Sequence, residues 1–278
     1  MNAGREGDGR TALITGASAG IGMALARVFA AHGFNCVLTA RRTERLNELA
    51  RELRERHRVA AHVITADLAH AAACAEIAME LNRRGIAVDA LANNAGYGVT
   101  GLYRNTTWEL QRDFIQVLVT APCELTHRLL PAMHARGYGR ILNVASVAGL
   151  LPGSASHTLY GAAKAMLIKF SQSLHSEQQG TGVHVSALCP GFTYSEFHDV
   201  NGTRASLRRS PKFLWLTAER VAEDGYRAVM DNQAICIPGA QYKVISTLVR
   251  LLPMNVAYRI GHHRSQRMFR REAEKIVP

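Results

Sequence analysis

The sequence predicts an α/β protein built on a doubly wound parallel sheet, and three observations lead to this fold class. Short apolar segments alternate with amphipathic segments along the chain, which is typical of repeated strand–helix units. A glycine-rich turn, TGASAGIG at residues 15–22, stands between the first predicted strand and the first predicted helix. The 278 residues, of which 47% are hydrophobic, suffice for one sizeable core. We therefore expect a single domain with a helical C-terminal extension.

The N-terminal segment, residues 1–9 (MNAGREGDG), has no apolar run. We expect it to be disordered and to be neither a signal peptide nor a membrane anchor. No later segment offers the ~18 uninterrupted apolar residues of a membrane span, so we expect a soluble, cytoplasmic protein. The five cysteines are odd in number, widely spaced and mostly within apolar runs. They are expected to be reduced core residues, and no metal site is predicted.

The chain is basic, with 33 Lys and Arg against 22 Asp and Glu and a net charge of +11. Such a charge is compatible with nucleic acid, with anionic lipid or with an anionic cofactor as partner. No zinc-finger or RNA-binding signature is present, and the arginines of residues 43–56 (TERLNELARELRER) alternate with glutamates. This segment is typical of a solvated amphipathic helix, and we predict no nucleic-acid partner.

The first strand–helix unit begins with the apolar strand TALIT at residues 11–15 and ends near Gly33. Between strand and helix, Gly16, Gly20 and Gly22 permit a tight turn, a close backbone approach and helix packing. The amides at the helix N-terminus can then meet a pyrophosphate. This context favours a dinucleotide-binding loop over a glycine-rich turn without a ligand.

The second strand, NCVLTA at residues 35–40, leads directly into Arg41 and Arg42. An acid near this point would bind the ribose 2′-hydroxyl of NAD and repel the 2′-phosphate of NADP. A guanidinium can instead pair bidentately with that phosphate. The two arginines therefore indicate NADP(H), unless they only cap the edge of the sheet.

The middle of the chain continues the alternation. Residues 59–66 form the third predicted strand and are followed by Asp67 and Leu68. A helix to about residue 84 precedes the strand at residues 88–93. Residues 108–137 then predict either two long helices or one long, kinked helix.

Three functional side chains follow within 19 residues. The buried strand GRILNVAS ends at Ser146, and Tyr160 and Lys164 are four positions apart at the start of a predicted helix, so they share one face. A cation ~4 Å from a phenol lowers the phenol pKa from ~10 by ~3 units. We therefore expect Tyr160 to exchange protons near neutral pH and Ser146 to bond a substrate oxygen. The alternative for Tyr160 and Lys164 is a solvated helix pair.

The glycine-rich turn, the NNAG segment at residues 93–96 and the serine, tyrosine and lysine set occur in the order and spacing of the short-chain dehydrogenase/reductase family. The chain resembles this family over residues 10–240. The resemblance implies a Rossmann-like fold and an NADP(H)-dependent oxidoreductase in which Tyr160 is the general acid and base. It implies cofactor contacts from Gly16, Ser18, Gly20, Ile21, Gly22, Arg41, Arg42, Asp67, Leu68, Asn94, Gly96, Tyr160, Lys164, Pro190, Gly191 and Thr193. It also implies a homodimer or homotetramer.

The sequence departs from the family at Leu118, where many relatives carry an asparagine whose backbone carbonyl holds a water leading to the lysine. A leucine can keep the carbonyl, but the side-chain hydrogen bond that opens the helix there is lost. His157 lies near Tyr160, and a packing or surface role is favoured over catalysis.

The remaining strands and helices complete the family pattern near residue 238. Residues 192–216 are rich in large apolar side chains, and Leu150 and Leu151 follow the serine. These residues favour a pocket for a hydrophobic ketone, aldehyde or alcohol over a simple addition to the core. The apolar side chains are Phe192, Tyr194, Phe197, Phe213, Leu214 and Trp215.

Two other function classes stay open at this point. One is a non-catalytic NADP-binding sensor or scaffold, since fold does not settle function. The other is an epimerase or dehydratase that uses the same cofactor without net redox. The intact serine, tyrosine and lysine set favours the oxidoreductase.

Residues 241–278 form a basic, amphipathic C-terminal extension. Val244, Ile245, Leu248, Val249 and Leu252 share one helical face, and a proline ends the helix before a segment rich in Arg and His. This face could pack on its own domain, on another subunit or on an anionic membrane as a peripheral contact. We rank packing within the protein or its oligomer first.

Overall fold

The computed structural model describes residues 5–155, 157–195, 211–253 and 255–259. Its strands are β1 (Thr11–Thr15), β2 (Asn35–Ala40), β3 (Ala61–Thr65), β4 (Ala90–Asn93), β5 (Gly139–Val144), β6 (Val183–Leu188), β7 (Thr193–Tyr194), β8 (Leu216–Thr217) and β9 (Ile235–Cys236). Its helices are α1 (Gly20–Ala31), α2 (Thr43–His57), α3 (Ala73–Arg83), α4 (Trp108–Ile115), α5 (Ala121–Ala135), α6 (Thr158–Glu177), α7 (Ala218–Met230) and α8 (Ala240–Leu251).

Seven strands form one parallel sheet in the order β3-β2-β1-β4-β5-β6-β9. The strand order reverses between β1 and β4, so the loops after these two strands diverge and leave a crevice at their carboxyl ends. This arrangement confirms the predicted Rossmann-like, doubly wound sheet. Strands β7 and β8 form a separate two-stranded parallel sheet.

Each face of the seven-stranded sheet is covered by helices, which explains why its central strands are apolar on both sides. Neighbouring residues of β1 point to opposite faces: Ile14 packs with side chains of α1, α2 and α7, and Leu13 packs with side chains of α3, α5 and α6. All five residues of β1 are buried. The core therefore fixes the strands from both sides and leaves their ends for the site.

Residues 5–9 form turns that pack on the domain. The amide of Gly7 donates to the carbonyl of His32 (2.9 Å), and Arg5 Nη1 donates to the carbonyl of His57 (2.9 Å). The Tyr226 hydroxyl donates to the Glu6 carboxylate (3.1 Å). The sequence predicts disorder through residue 9, and it misses this packing because the contacts are polar and residues 5–9 carry no apolar side chain.

Residues 108–135 form one continuous helical segment, in which a π-helical turn, Gln116–Thr120, separates α4 from α5. The Ala121 amide donates to the Gln116 carbonyl, five residues back. Pro122 has no amide hydrogen, so the carbonyl of Leu118 lacks its regular donor four residues on. Leu118 has no side-chain hydrogen bond to open the helix, and the missing amide hydrogen of Pro122 opens it from the other side of the same backbone bond.

A buried amide network joins the central strands to the helices behind them. Asn93 and Asn143 are register partners on β4 and β5, and Asn93 Nδ2 donates to Asn143 Oδ1 (2.8 Å). Asn143 Nδ2 donates to Ser171 Oγ on α6 (2.9 Å), and Asn93 Nδ2 also reaches Thr126 Oγ1 on α5 (3.2 Å). Because both asparagines are buried, these bonds fix the position of α6 against the sheet.

All five cysteines lie within the described residues and are free thiols. Burial raises the pKa of Cys36, Cys74 and Cys189 to about 12, so these thiols stay protonated. Among the described helices, none is long and apolar enough to cross a bilayer.

We predict that Asn143→Ala lowers the free energy of unfolding by about 2–3 kcal/mol, because it leaves buried polar groups on α6 and β4 without their partner. Urea unfolding followed by circular dichroism measures this change. The exposed Asn105→Ala variant is the matched control and is expected to change the value by less than about 0.5 kcal/mol. Equal unfolding midpoints for the two variants would contradict a stabilising role for the network.

Candidate active site

The three predicted catalytic residues come together at the carboxyl end of β5. Ser146 follows this strand, and its Oγ accepts from the Ala148 amide (3.1 Å) and donates to the Pro190 carbonyl (3.4 Å). The Tyr160 hydroxyl is hydrogen-bonded to Ser146. A Cβ at Gly149 would lie 2.6 Å from backbone atoms of α6, so only a glycine lets the helix lie this close to the turn after Ser146.

Tyr160 and Lys164 lie one helical turn apart on α6, as predicted. The Lys164 Nζ is 5.9 Å from the centroid of the Tyr160 ring and donates to the Val144 carbonyl (2.7 Å). Lys164 is only 5% exposed, so this ammonium is held inside the protein beside the phenol. The alternative of a solvated pair is therefore wrong.

Burial shifts the two groups in opposite directions. It raises the pKa of Tyr160 to about 12, against a smaller lowering by the bond to Ser146, and it lowers the pKa of Lys164 to about 8. The predicted lowering of the Tyr160 pKa by Lys164 is not found, because loss of hydration outweighs other effects on the phenol and the ammonium bonds the Val144 carbonyl. Near neutral pH the phenol is protonated and the amine carries its charge.

The glycine-rich loop adopts a conformation that other residues cannot reach. Gly16 and Gly20 have φ of 66° and 54°, and a Cβ at Gly16 would meet Ala95 Cα at 2.9 Å. A Cβ at Gly22 would lie 2.4 Å from the Gly16 carbonyl oxygen. In the described residues no side chain caps α1, so its first amides are available to an anion. The loop therefore fits the pyrophosphate of a dinucleotide.

Asn94 clamps this loop from the end of β4. Its Nδ2 donates to the carbonyls of Thr15 (2.9 Å) and Gly16 (3.3 Å), and its amide donates to Thr15 Oγ1 (2.9 Å). Gly96 lies where the loop, the π-helical turn and α6 meet, since a Cβ there would be 3.6 Å from Leu118 Cγ and 3.8 Å from Lys164 Nζ. Of these two predicted cofactor residues, Asn94 thus contacts the loop and Gly96 lies beside Lys164, the predicted catalytic lysine.

The two arginines after β2 occupy different positions. Arg42 reaches back to the glycine-rich loop, where its Nε and Nη2 donate to Ser18 Oγ (3.2 and 3.1 Å). Arg41 is largely exposed, and its Nη1 is 3.9 Å from Asp67 Oδ2. Leu68, which follows Asp67, is buried in the core. The pair forms a cationic patch at the edge of the predicted cofactor site, with Arg42 nearer the loop.

The segment after β6 closes the site from the side of Ser146. The Pro190 carbonyl accepts from the Val147 amide (3.0 Å), and the buried Thr193 donates through Oγ1 to the Gly191 carbonyl (3.0 Å). Gly191 packs on Tyr242, whose ring would be 1.9 Å from a Cβ at that position. The Tyr242 hydroxyl accepts from the Phe192 amide (2.8 Å) and donates to the Leu214 carbonyl.

Sequence analysis missed Tyr242 because it falls in the predicted extension, and no spacing in the sequence distinguishes it from other tyrosines. Three of the predicted apolar side chains, those of Phe192, Tyr194 and Trp215, stack on one another. The Trp215 ring lies 5.5 Å from Phe192 and 4.8 Å from Tyr194 between ring centroids. Phe197 lies outside the described residues. Ile21, Leu150 and Leu151 are half-buried.

The site is distinct from a cavity of about 340 Å³ between β3 and α3. Its lining includes Val63, Thr65, Glu76 and Arg84, and none of the predicted site residues lines it. The chemistry carried by the named residues therefore belongs to the crevice at the strand ends and not to this cavity.

Comparisons with known proteins agree with this geometry. The family model described as short chain dehydrogenase matches residues 10–204. A sulfoacetaldehyde reductase of Chromohalobacter salexigens is 39% identical over 217 residues, which cover 76% of this chain and 84% of that protein.

Two solved structures are similar over most of their length. A short-chain dehydrogenase from Sphingobium yanoikuyae in complex with NADPH aligns with a TM-score of 0.76 at 30% identity, covering 87% of this chain and 94% of that chain. A 7β-hydroxysteroid dehydrogenase aligns with a TM-score of 0.83 at 27% identity, covering 92% and 98%. The chain therefore belongs to the short-chain dehydrogenase family and is an NAD(P)-dependent oxidoreductase acting on CH–OH groups.

Proposed function

We propose that this protein interconverts a hydrophobic ketone or aldehyde and the corresponding alcohol with NADP(H). The observation that carries the proposal is the hydroxyl of Tyr160, which is bonded to Ser146 and lies beside the buried ammonium of Lys164. A protonated phenol, a hydroxyl that fixes the reacting oxygen and a nearby cation are the groups that carbonyl reduction requires.

The residues that hold the cofactor come from three segments of the chain. Gly16, Gly20 and the first amides of α1 bind the pyrophosphate, and Arg42 with Arg41 binds the ribose 2′-phosphate. Asn94 keeps the loop in shape. When bound, the nicotinamide supplies the hydride in reduction and accepts it in oxidation.

The protein's own step is a proton transfer. In reduction, the carbonyl oxygen accepts hydrogen bonds from Ser146 and Tyr160, and the Tyr160 proton moves to that oxygen as the carbonyl carbon gains the hydride. In oxidation, the Tyr160 phenolate takes the proton from the alcohol. The Lys164 ammonium, 5.9 Å from the centroid of the Tyr160 ring, supplies the positive charge that stabilises the phenolate in both directions.

The preference for NADP(H) is supported by Arg42, which lies against the glycine-rich loop, and by the absence of an acid at residues 41 and 42. A similar structure, the dehydrogenase from Sphingobium yanoikuyae, is described as an NADPH complex. Both observations favour the phosphorylated cofactor.

The hydrophobic substrate is supported by the stacked rings of Phe192, Tyr194 and Trp215 and by the half-buried Leu150 and Leu151 beside the site. The similar 7β-hydroxysteroid dehydrogenase is named for a large apolar substrate, whereas the similar sulfoacetaldehyde reductase is named for a small anionic one. The stacked rings of Phe192, Tyr194 and Trp215 favour a large apolar substrate over a small anionic one.

We further propose that the catalytic domain spans residues 10–240 and that the protein is a cytoplasmic homodimer or homotetramer. The proposed assembly is inferred from the family, whose members are usually dimers or tetramers. A non-catalytic sensor or an epimerase is less well supported. Ser146, Tyr160 and Lys164 are all present, and these three groups are the ones that carbonyl reduction requires.

A panel of carbonyl compounds tests the function, with NADPH consumption followed by absorbance. Bulky hydrophobic ketones are expected to be reduced faster than sulfoacetaldehyde. Faster reduction of sulfoacetaldehyde would overturn the substrate class. NADPH binding without turnover across the panel would overturn catalysis in favour of a sensor.

We predict that Tyr160→Phe lowers the reduction rate by ~10²- to 10⁴-fold, because the variant keeps the ring and loses the proton. NADPH affinity, measured by fluorescence titration, is expected to stay within a few-fold. Tyr258→Phe, which removes a hydroxyl from an exposed ring, is the control and keeps the wild-type rate. A Tyr160→Phe variant with more than roughly a tenth of the wild-type rate would show that another group donates the proton.

We predict that Arg42→Ala weakens NADPH binding by at least ~1.5 kcal/mol, the value of one charged hydrogen bond, with little effect on NADH. Arg41→Ala is expected to act in the same direction. The exposed Arg51→Ala variant removes the same charge from α2 and is the matched control. Equal losses for NADPH and NADH would refute the 2′-phosphate role.

We predict that kcat/KM for reduction falls as pH rises through about 8, where burial has placed the pKa of Lys164. The amine is charged below this pH, and its charged fraction falls about tenfold per pH unit above it. Lys164→Arg is expected to remove this limb of the pH profile, because a guanidinium keeps its charge. A wild-type profile that stays level well above pH 8 contradicts a requirement for the ammonium.

A further inference from the structure

Helix α8 is oriented with its apolar face toward solvent. Its buried side chains are Tyr242 and Ser246, which are 6% and 3% exposed. Val244, Leu248 and Leu251 on the opposite side are 57%, 58% and 77% exposed. A surface helix normally turns its apolar stripe toward the core, so this helix has the reverse of the usual arrangement.

Specific bonds on the inner side fix this orientation. The Tyr242 hydroxyl bonds to the Phe192 amide and the Leu214 carbonyl. Gln241 Nε2 donates to the Phe213 carbonyl (3.1 Å), which joins the first turn of α8 to a segment whose Phe213 side chain is itself 68% exposed. A rotation of α8 that buried the leucines would break the Tyr242 bonds. The exposed face is therefore built into the fold.

The charge around this face has one sign. Between Asp231 and Glu272 the sequence contains no acidic residue and seven Arg or Lys residues. Two of these, Lys243 and Arg250, are exposed on α8 and flank the apolar face. The other five are Arg259, Arg264, Arg267, Arg270 and Arg271. A large part of the net charge of +11 thus falls in the stretch of sequence that contains α8 and follows it.

The apolar face of α8 together with its basic flank favours one kind of partner over another. A second copy of the chain would bring the same positive charge to a symmetric contact, and like charges oppose association. An anionic bilayer offers hydrocarbon for the leucines and negative head groups for the basic flank. We propose that the outer face of α8 is a peripheral binding site for an anionic lipid surface, into which Val244, Leu248 and Leu251 insert.

The proposal concerns binding and is independent of the proposed catalysis. It predicts that the full chain co-sediments with vesicles of phosphatidylcholine and phosphatidylglycerol and much less with vesicles of phosphatidylcholine alone. Added salt is expected to weaken binding, since it screens the head groups. Arg250→Gln is expected to weaken partitioning by about fivefold, the contribution of one cation near the surface.

Leu248→Glu is the decisive variant and is expected to lower partitioning by at least about tenfold, because it removes a leucine that inserts into the bilayer and adds a charge that the anionic head groups repel. Met79→Glu on α3 introduces the same charge at another exposed apolar residue and is the matched control, with partitioning close to that of the wild type. NADPH affinity and circular dichroism verify that both variants are folded.

Three results would overturn the proposal. One is a wild-type protein that binds neither type of vesicle. Another is equal partitioning of Leu248→Glu and Met79→Glu. The third is a lower oligomeric state of Leu248→Glu in sedimentation velocity together with unchanged vesicle binding, which would show that the face joins two copies of the chain.

Discussion

The contact between α6 and the turn after β5 is the constraint on which the site depends. Gly149 has no side chain, so the backbone of α6 approaches the turn closely enough for Tyr160 to bond Ser146. The buried hydrogen bond from Asn143 to Ser171 holds the same helix farther along its length. The glycine and this hydrogen bond take no part in proton transfer, but together they fix the distance between Tyr160 and Ser146.

Burial has opposite consequences for the two groups on α6. It makes the phenol a weaker acid and the amine a weaker base, with pKa values near 12 and 8. The protonated phenol is the form that donates in reduction. In oxidation the proton must leave a group whose pKa is far above neutral, so the reaction depends on charge that stabilises the phenolate during the step. Near neutral pH the phenol therefore starts in its protonated form.

The sequence predicted the sheet, the glycine-rich loop and the positions of Ser146, Tyr160 and Lys164, because each depends on local spacing or on apolar runs. It could not predict the pKa of Tyr160, since burial arises from elements far apart in the chain. At Leu118 the sequence showed that the side-chain hydrogen bond is lost, but not that the missing amide hydrogen of Pro122 opens the helix in its place. The packing of residues 5–9 was missed because polar contacts to helix ends leave no periodic pattern.

Tyr242 shows why the predicted boundary near residue 240 does not separate two independent parts. Its hydroxyl connects the segment after β6 to the segment before β8, and its ring fills the space that Gly191 leaves open. One side of α8 therefore supports the wall of the site, while the other side is apolar and exposed. Any partner that binds the outer face binds a helix that is bonded to Phe192, two residues after the Pro190 carbonyl that accepts from Ser146. The first turn of α8 is thus bonded to the proposed domain of residues 10–240, even though the family pattern ends before it.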